Sequence, residues 1–227
     1  LTYWSPNINI YRDTRWGRGQ EPYGEDPFLT AENGCAFVEG LQGDGKFLRS
    51  AACAKHFAVH SGPEADRHSF NAEVNDKDLF ETYLPAFEML VKRSKGESVM
   101  GAYNRVNGYP CCAHPFLIKE VLRNRWKFEG HVVSDCGALA DFVNGHMVAA
   151  DMNEAAAMAL KGGCDLNCGG VYNNLTEAYE KDMVDENDIK TAAVRLSPQG
   201  FCSGSLKRKD PILPSRTAWL IAKSTRI

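Results

Sequence analysis

The chain has 227 residues and a net charge of −3 at pH 7, and its main body holds no Lys/Arg cluster interleaved with aromatic residues. These features argue against nucleic acid as a partner. No apolar run approaches the roughly 20 residues that span a bilayer, so we predict no membrane partner either. The hydrophobic content of 44% and the charged content of 24% are ordinary for a globular protein.

Eight cysteines are spread along the chain. They are too few for a disulfide scaffold at this length, and their spacing fits no common metal site. Cys164 and Cys168 are separated by three residues, but no second ligand pair with suitable spacing follows them. We therefore expect buried free thiols and no bound metal.

Strand-like and helix-like segments alternate along the chain. The predicted strands cover residues 3–11, 51–57, 97–103, 131–135 and 163–167. The predicted helices cover residues 27–41, 76–93, 115–126 and 153–161, and two more begin at residues 172 and 186. Asp26 is the expected N-cap of the first helix, because it precedes a proline at the first helical position. Pro85 should kink the second helix.

Repeated strand–loop–helix units predict an α/β fold with a parallel sheet and helices outside it. Five strand candidates are too few for an eight-stranded barrel, but they fit a (β/α)8 barrel that lacks its first strands. Residues 1–196 are predicted to form this domain. Residues 197–227 contain three prolines and two glycines without periodicity, and we predict an irregular tail, either disordered or the product of a shifted reading frame.

Two of the predicted strands end in reactive side chains. One carries Lys55 and His56 after an apolar run, and the other ends on Asp135 before a glycine turn. Charged groups are costly to bury without partners, and the C-terminal ends of parallel strands are where α/β enzymes build their sites. The two strand ends together therefore indicate an enzyme.

Each of these residues has more than one interpretation. Asp135 is a candidate nucleophile for a glycosidic carbon, because a carboxylate is ionised near neutrality and can bond covalently to that carbon. Alternatively, it caps the following helix. Lys55 and His56 suit the binding of adjacent sugar hydroxyls. Alternatively, they form a structural pair at the mouth of a barrel, or Lys55 forms a Schiff base with a carbonyl substrate.

The loop of residues 12–27 contains three arginines, four acidic residues, three glycines and a tryptophan. A loop that is merely solvated rarely combines so many charges with an aromatic side chain and several glycines. We expect this loop to pair its own charges and to hold one arginine toward a ligand.

Several longer motifs occur in order along residues 3–195. They are Arg-Asp-x-Arg-Trp-Gly-Arg with Gly-Glu-Asp-Pro, Ala-Cys-Ala-Lys-His-Phe, Met-x-x-Tyr-Asn with Asn-Gly, and Val-Val-Ser-Asp. Together they resemble the N-terminal barrel domain of glycoside hydrolase family 3. The resemblance implies an exo-acting retaining β-glycosidase that acts on oligosaccharides or aryl glycosides, needs no cofactor and is secreted or periplasmic.

The resemblance also implies roles for individual residues. Asp135 matches the family's nucleophile. The positions that match residues binding the sugar in the −1 subsite, or lining its pocket, are Arg18, Lys55, His56, Met100 and Tyr103. Composition alone would place the last two in the core, so their assignment depends wholly on the resemblance.

The chain also departs from parts of the family pattern. Cys136 follows the nucleophile position, where members that release glucose often carry Trp. This and the other cysteine motifs resemble the β-xylosidase branch, so we predict release of terminal β-D-xylosyl residues from xylo-oligosaccharides, with β-glucosidase activity as the alternative. The loop after His56 lacks the Pro-Gly-His-Gly-Asp pattern of the family's N-acetylglucosaminidases, so His60 is not expected to be the acid.

Retaining hydrolysis also needs a second carboxyl group about 5 Å from the nucleophile, to protonate the leaving oxygen. The resemblance implies that this group comes from a C-terminal domain and that a first barrel segment precedes residue 1. The lack of an initial Met and of the family's Leu-Gly-x-Phe segment after residue 196 predicts a fragment. We therefore expect the rest of the same chain to complete the site. The alternative is an inactive, sugar-binding remnant without the acid.

Overall fold

The computed structural model describes residues 1–60 and 62–202, with the side chains of residues 198–202 left aside. The strands in this part of the chain are β1 (Thr2–Tyr3), β2 (Ala51–Phe57), β3 (Asn71–Ala72), β4 (Ser98–Gly101), β5 (Arg105–Val106), β6 (Tyr109–Pro110) and β7 (His131–Ser134). The α-helices are α1 (Pro27–Gln42), α2 (Asp76–Asp78), α3 (Pro85–Lys92), α4 (Asp141–Asn144), α5 (Met152–Gly162), α6 (Leu175–Glu180) and α7 (Glu186–Cys202). Two π-helical segments, Leu79–Tyr83 and Pro115–Arg125, and three short 3₁₀ turns complete the regular structure.

A four-stranded parallel sheet forms the centre of the fold. Its strand order, β1-β2-β4-β7, follows the order of the strands in the chain. Strands added in sequence without a reversal are typical of a barrel, whereas an open doubly wound sheet reverses its order at a switch point. The remaining strands, β3, β5 and β6, form a separate small sheet. The parallel sheet confirms the predicted α/β class.

Both faces of the central sheet are covered by apolar side chains. The larger cluster includes residues from the strands and the outer helices, among them Ile8, Val38, Phe57, Phe87, Leu90, Leu117 and Val132. On the strands, Cys53, Met100 and Val133 form a second, smaller buried cluster. Burial on both faces explains why β4 and β7 are apolar apart from their terminal residues.

Two predicted strands are shorter than expected. In residues 3–11 the regular strand ends at Tyr3, and Pro6 has no N–H group to donate to a neighbouring strand. The segment nevertheless continues beside β2, since the Ile8 N–H donates to the Lys55 carbonyl at 2.9 Å. Residues 163–167 contribute one parallel bridge, between Val133 and Leu166.

The helices follow the sequence prediction closely. The Asp26 carboxylate accepts a hydrogen bond from the Leu29 N–H at 2.6 Å, which confirms the predicted N-cap. Pro85 divides the predicted helix of residues 76–93, and the turn before it widens so that the Leu84 N–H donates to the Leu79 carbonyl.

The last helix, α7, extends to Cys202. The predicted boundary between residues 196 and 197 therefore lies within this helix, and residues 203–227 lie outside the described part of the chain, so the division into domain and tail stays a prediction. Within the described residues, none of the helices is both long enough and apolar enough to cross a membrane.

The expectation of free thiols is wrong for one pair of cysteines. Cys136 and Cys168 form a disulfide, with their Cα atoms 4.5 Å apart. A neighbouring backbone hydrogen bond, from the Gly137 N–H to the Cys168 carbonyl at 2.8 Å, holds the two chain segments together. Their 32-residue separation in sequence gives no sign of this contact. Among the side chains that the structure describes, five other cysteines are buried and free, as expected, namely Cys35, Cys53, Cys111, Cys112 and Cys164.

Candidate active site

The predicted catalytic and sugar-binding side chains lie at the C-terminal edge of the central sheet. Lys55 and His56 are near the end of β2, Tyr103 follows β4 by two residues, and Asp135 directly follows β7. Parallel strands bring their C-terminal ends to the same edge, so residues far apart in sequence meet there. A charged loop, residues 12–24, carries Arg18 to the same place.

Asp135 has one satisfied and one unsatisfied carboxylate oxygen. Its Oδ1 accepts a hydrogen bond from the Cys136 N–H at 2.8 Å. Its Oδ2 is buried without a hydrogen-bond partner among the described residues, and it faces His56 Nε2 at 3.3 Å and Arg18 Nη1 at 3.7 Å. The alternative role as a helix cap is excluded, because α4 begins only at Asp141. This oxygen therefore faces one guanidinium nitrogen and one imidazole nitrogen without accepting a hydrogen bond from either.

The hydrogen bonds of Asn9 fix the orientation of His56. The Asn9 side-chain N–H donates to the His56 carbonyl at 2.8 Å, and Asn9 Oδ1 accepts the His56 backbone N–H at 2.9 Å. Since a backbone N–H only donates and a carbonyl only accepts, these two bonds leave one orientation for the amide. The same Oδ1 lies 2.9 Å from His56 Nδ1, which must therefore carry a proton.

A neutral His56 with its proton on Nδ1 presents a bare lone pair on Nε2. Burial lowers the pKa of His56 well below its usual value, and the nearby His60, Arg18, Lys55 and Arg67 lower it further. Nε2 is itself buried without a hydrogen-bond partner among the described residues and faces Asp135 Oδ2. Two acceptors therefore face each other, and the hydroxyl group of a ligand can donate a hydrogen bond to one of them.

The loop of residues 12–24 pairs its own charges, as predicted. Arg15 pairs with Asp13 on the surface, and Arg18 donates from Nε and Nη2 to the two carboxylate oxygens of Glu21 at 2.5 and 2.9 Å. The third nitrogen of Arg18, Nη1, faces Asp135. Lys55 Nζ lies 3.6 Å from Glu21 Oε2, so one carboxylate holds both cations of the site.

Tyr103 and Met100 lie close to this group in different ways. The Tyr103 hydroxyl donates to the Cys136 carbonyl at 2.9 Å. Burial and the negative charge of Asp135 raise the pKa of Tyr103 to about 12, so the phenol keeps its proton. Met100 is fully buried in the cluster with Cys53 and Val133, and it pairs in register with Lys55. Met100 is therefore at the same height along the sheet as Lys55, but its side chain is part of the buried core.

The sequence alone did not single out Glu21, Asn9 or Arg67. Arg67 lies in the polar loop after β2, with its guanidinium carbon 5.8 Å from the centre of the Tyr103 ring. Its Nε is buried without a hydrogen-bond partner among the described residues. His60, from the same loop, stacks on His56 with 4.5 Å between ring centres, and burial lowers its pKa to about 4. These residues surround the predicted site, and the sequence shows no sign of which individual side chains in their segments would face it.

The two loops that cover the site are joined to each other. The Gly17 N–H donates to the Gly62 carbonyl at 3.1 Å, and Trp16 forms an antiparallel bridge with Pro63. A Cβ atom at position 17 would lie 2.8 Å from the Glu64 Cβ, so a larger residue there would push the two loops apart. Residues 12–24 therefore form one connected cover with residues 58–60 and 62–70. In the described part of the chain, no three His, Cys, Asp or Glu side chains converge as metal ligands.

Comparison with known proteins identifies the family. The model of the glycosyl hydrolase family 3 N-terminal domain matches residues 2–198. A xylan 1,4-beta-xylosidase of Xylanibacter ruminicola is 45% identical over 94% of this chain and 25% of its own length. Beta-D-xylosidase 1 of Arabidopsis thaliana is 45% identical over 85% of this chain and 26% of its own length.

Solved structures agree with this assignment. A GH3 exo-beta-xylosidase, XlnD, in complex with a xylobiose aziridine probe, superposes with a TM-score of 0.86 at 35% identity, covering 96% of this chain and 31% of that one. A beta-glucosidase from Listeria innocua gives a TM-score of 0.82 at 34% identity, covering 92% of this chain and 30% of that one. The chain spans about a quarter of the length of the curated relatives it matches. It belongs to glycosyl hydrolase family 3, within the (β/α)8-type barrel of that family's N-terminal domain.

Proposed function

We propose that the protein is an exo-acting retaining β-xylosidase in which Asp135 is the nucleophile. The observation that carries this proposal is the unpartnered Asp135 Oδ2, which is buried and faces His56 and Arg18. A buried carboxylate oxygen without a hydrogen bond is costly for folding, and such costs are typical of functional sites. Because the chain belongs to family 3 and has xylosidase relatives, we assign to that oxygen the role of the nucleophile.

In the proposed reaction, Asp135 Oδ2 attacks the anomeric carbon of the terminal sugar. The new carbon–oxygen bond forms as the bond to the leaving group breaks, and the leaving oxygen takes a proton from a general acid. Water then attacks the same carbon and releases Asp135, with the former acid acting as base. Two carboxyl groups suffice for this chemistry, so we propose no cofactor.

The sugar-binding residues have complementary roles in this proposal. Arg18 Nη1 and the ammonium group of Lys55 donate to hydroxyl oxygens of the −1 sugar. His56 Nε2, whose lone pair faces Asp135, accepts a hydrogen bond from one hydroxyl. Tyr103 holds the turn after the nucleophile through its bond to the Cys136 carbonyl. Met100 supports the floor of the subsite from the core.

The general acid is proposed to come from another part of the protein. Glu21 lies nearby but is unsuited to donate a proton, because its hydrogen bonds with Arg18 lower its pKa to about 2. Asp141 is already paired with His68 Nδ1 at 2.8 Å. We propose, from the family resemblance, that a carboxyl group from a further domain of the same chain protonates the leaving oxygen.

Xylose is the preferred sugar because of the residue directly after the nucleophile. Cys136 is joined to Cys168, so a disulfide stands where glucose-releasing members often carry Trp. The disulfide fixes residues 167–169 against the turn after Asp135 and changes the wall of the pocket there. Similarity to a xylosidase of Xylanibacter ruminicola supports this choice, and similarity to the Listeria innocua β-glucosidase keeps glucose as the second candidate.

The proposal can be tested by covalent labelling. The chain is incubated with 2,4-dinitrophenyl 2-deoxy-2-fluoro-β-xyloside or the matching glucoside, and its intact mass is measured. The dinitrophenolate leaves without protonation, so a general acid is not required. We expect an adduct on Asp135, mapped by peptide sequencing, that forms faster with the xyloside.

Two controls make the labelling result decisive. Asp135→Asn should give no adduct, and circular dichroism should show that both forms are folded. No adduct on a folded wild-type chain would contradict the proposed nucleophile and support the alternative of an inactive, sugar-binding remnant. Faster labelling by the glucoside would replace xylosidase with glucosidase as the proposed activity.

A further inference from the structure

Glu21 lies between the two cations of the site and binds both. Its Oε1 accepts from Arg18 Nε at 2.5 Å, and its Oε2 accepts from Arg18 Nη2 at 2.9 Å. The same Oε2 lies 3.6 Å from Lys55 Nζ and accepts from the Asn7 side-chain amide at 3.4 Å. None of the catalytic or sugar-binding roles proposed above uses this carboxylate.

The geometry of Arg18 shows what Glu21 prevents. Guanidinium and carboxylate groups pair most strongly when two parallel N–H donors meet two oxygens. Glu21 occupies the edge of the guanidinium formed by Nε and Nη2, which leaves only Nη1 to face Asp135, at 3.7 Å. Without Glu21, Arg18 is free to turn a two-donor edge toward Asp135 Oδ2, which has no hydrogen-bond partner of its own among the described residues.

We propose that Glu21 is a positioning residue that holds Arg18 and Lys55 away from the nucleophile, so that Asp135 Oδ2 stays available for attack. This inference depends on the proposed function of Asp135. Glu21 contacts the cations and not the reacting atoms, so its effect on the reaction passes through Arg18 and Lys55.

Charge balance gives the physical reason. Asp135 loses its negative charge when it bonds to the sugar, so cations that pair closely with the free carboxylate stabilise the ground state more than the transition state. Two cations and two carboxylates share this site, and Glu21 takes up the stronger contacts of both cations. Removing its charge releases both cations and leaves Asp135 as the carboxylate that faces Arg18.

The backbone around Glu21 is shaped for this arrangement. Arg18 adopts a φ of +61°, an uncommon conformation for a residue other than glycine. The Glu21 N–H donates to the Arg18 carbonyl at 3.2 Å, which closes a tight turn that places the two side chains side by side. The hydrogen bonds with Arg18 also lower the pKa of Glu21 to about 2, so its carboxylate stays charged at any ordinary working pH.

The test compares Glu21→Gln with the wild type in the whole protein. The rate of inactivation by 2,4-dinitrophenyl 2-deoxy-2-fluoro-β-xyloside is measured across pH at saturating reagent. We expect the maximal rate to fall on the order of 10- to 100-fold, the usual scale for a misplaced catalytic group. The acid limb of the profile should move to lower pH, because closer pairing with Arg18 favours the charged form of the nucleophile.

The same loop supplies a matched control. Asp13→Asn removes an equivalent arginine–carboxylate pair, between Asp13 and Arg15, on the exposed side of the loop. It should leave both the maximal rate and the acid limb unchanged. Glu21→Asp keeps the charge with a shorter reach, and we expect an intermediate rate with a smaller shift of the acid limb in the same direction. If Glu21→Gln does not fold, Glu21→Asp is compared with the wild type in its place.

The outcomes separate this inference from the proposed function. Labelling of wild-type Asp135 combined with a wild-type rate in Glu21→Gln overturns the role of Glu21 and leaves the nucleophile assignment intact. Slower labelling with an unmoved acid limb also overturns it, since closer pairing of Arg18 with the nucleophile would move that limb. If wild-type Asp135 is not labelled, the proposed function itself is contradicted.

Discussion

Two buried aspartates near opposite ends of β7 differ in how their oxygens are satisfied. Asp165 accepts hydrogen bonds from the Val132 N–H at 2.8 Å, from Arg123 at 2.8 Å and from Arg195 at 3.1 Å, so both of its oxygens have partners. Asp135 has one hydrogen bond to its Oδ1, from Cys136, and none to Oδ2 among the described residues. The side chains are 1% and 12% exposed, so burial alone does not explain the difference.

The difference in hydrogen bonding separates a structural carboxylate from a reactive one. Asp165 connects the sheet to the helices that carry Arg123 and Arg195, and its charge is fully compensated. Asp135 keeps an oxygen without a donor, at a cost of roughly 1–3 kcal/mol for such a buried group. Stability favours the first arrangement, and nucleophilic attack requires the second.

The largest expected effect comes from replacing the reactive aspartate. Asp135→Asn should lower the labelling rate by roughly 10⁴-fold or more, the scale seen when a nucleophile is removed. The free energy of unfolding of this variant should be equal to or higher than that of the wild type, because the variant loses a buried carboxylate oxygen that has no hydrogen bond among the described residues. Arg18 keeps its ion pair with Glu21, and His56 keeps its hydrogen bond with Asn9. Denaturant unfolding and intact mass measure the two quantities, and a strongly destabilised variant would contradict the comparison.

The opposite pattern is expected for the structural aspartate. Asp165→Ala leaves the guanidinium groups of Arg123 and Arg195 without their carboxylate, and breaking such a buried pair costs roughly 3–5 kcal/mol. The protein that remains folded should be labelled at the wild-type rate under stabilising conditions. An unchanged unfolding midpoint in urea would show that Asp165 does not hold the two helices to the sheet.

Acid should weaken the fold around both aspartates, because buried neutral histidines lie near each. Burial lowers the pKa of His60, His114, His131 and His146 to about 4, and it lowers that of His56 well below its usual value. Between about pH 6.5 and 4, the unfolded chain therefore binds more protons than the folded one, and stability falls as pH falls.

This acid effect can be measured by urea unfolding at pH 7.5 and pH 4.5. We expect a loss of at least about 2 kcal/mol, since each unit of pKa difference in one group is worth about 1.4 kcal/mol. His131→Gln, which removes one of these histidines near Asp165, should make the pH dependence shallower. A flat profile in the wild type would refute the assignment of neutral buried imidazoles.

The smallest predicted effect tests the protonation state of His56, which lies beside Asp135. In Asn9→Asp, a carboxylate beside His56 Nδ1 favours the imidazolium form, whose Nε2–H then donates to Asp135 Oδ2. We expect labelling to slow by about tenfold near neutral pH, equivalent to about 1.4 kcal/mol, and to recover at higher pH as His56 loses its proton. Asn33→Asp, an exposed change on α1, serves as the control. A rate that does not depend on pH would argue against the proton on Nδ1.

The sequence predicted the parts of the structure that have local signals. Strong apolar runs mark β2, β4 and β7, Asp26 before Pro27 marks a helix start, and Pro85 marks a break. Since parallel strands share an edge, the residues at their ends were expected to meet, and Lys55, His56 and Asp135 do. Their catalytic and binding roles remain predictions.

The missed features depend on contacts between distant segments. Asn9 is 47 residues from His56, and the cysteines of the disulfide are 32 residues apart, so nothing in their immediate neighbours indicates the pairing. Glu21 was one of four acids in a charged loop, and only the turn at Arg18 identifies which of them binds the arginine. Such contacts depend on how distant segments pack in the folded protein, and local sequence patterns do not report on that packing.

The connection between the two covering loops has a consequence for protein engineering. Gly17 and Gly62 share a backbone hydrogen bond, Trp16 bridges to Pro63, and Glu64 fills the space beside Gly17. A specificity graft that exchanges residues 12–24 with those of a relative, while keeping residues 58–70, would join two surfaces that were not selected together. The two segments form one transplantable unit, and chimeras should exchange them as a pair.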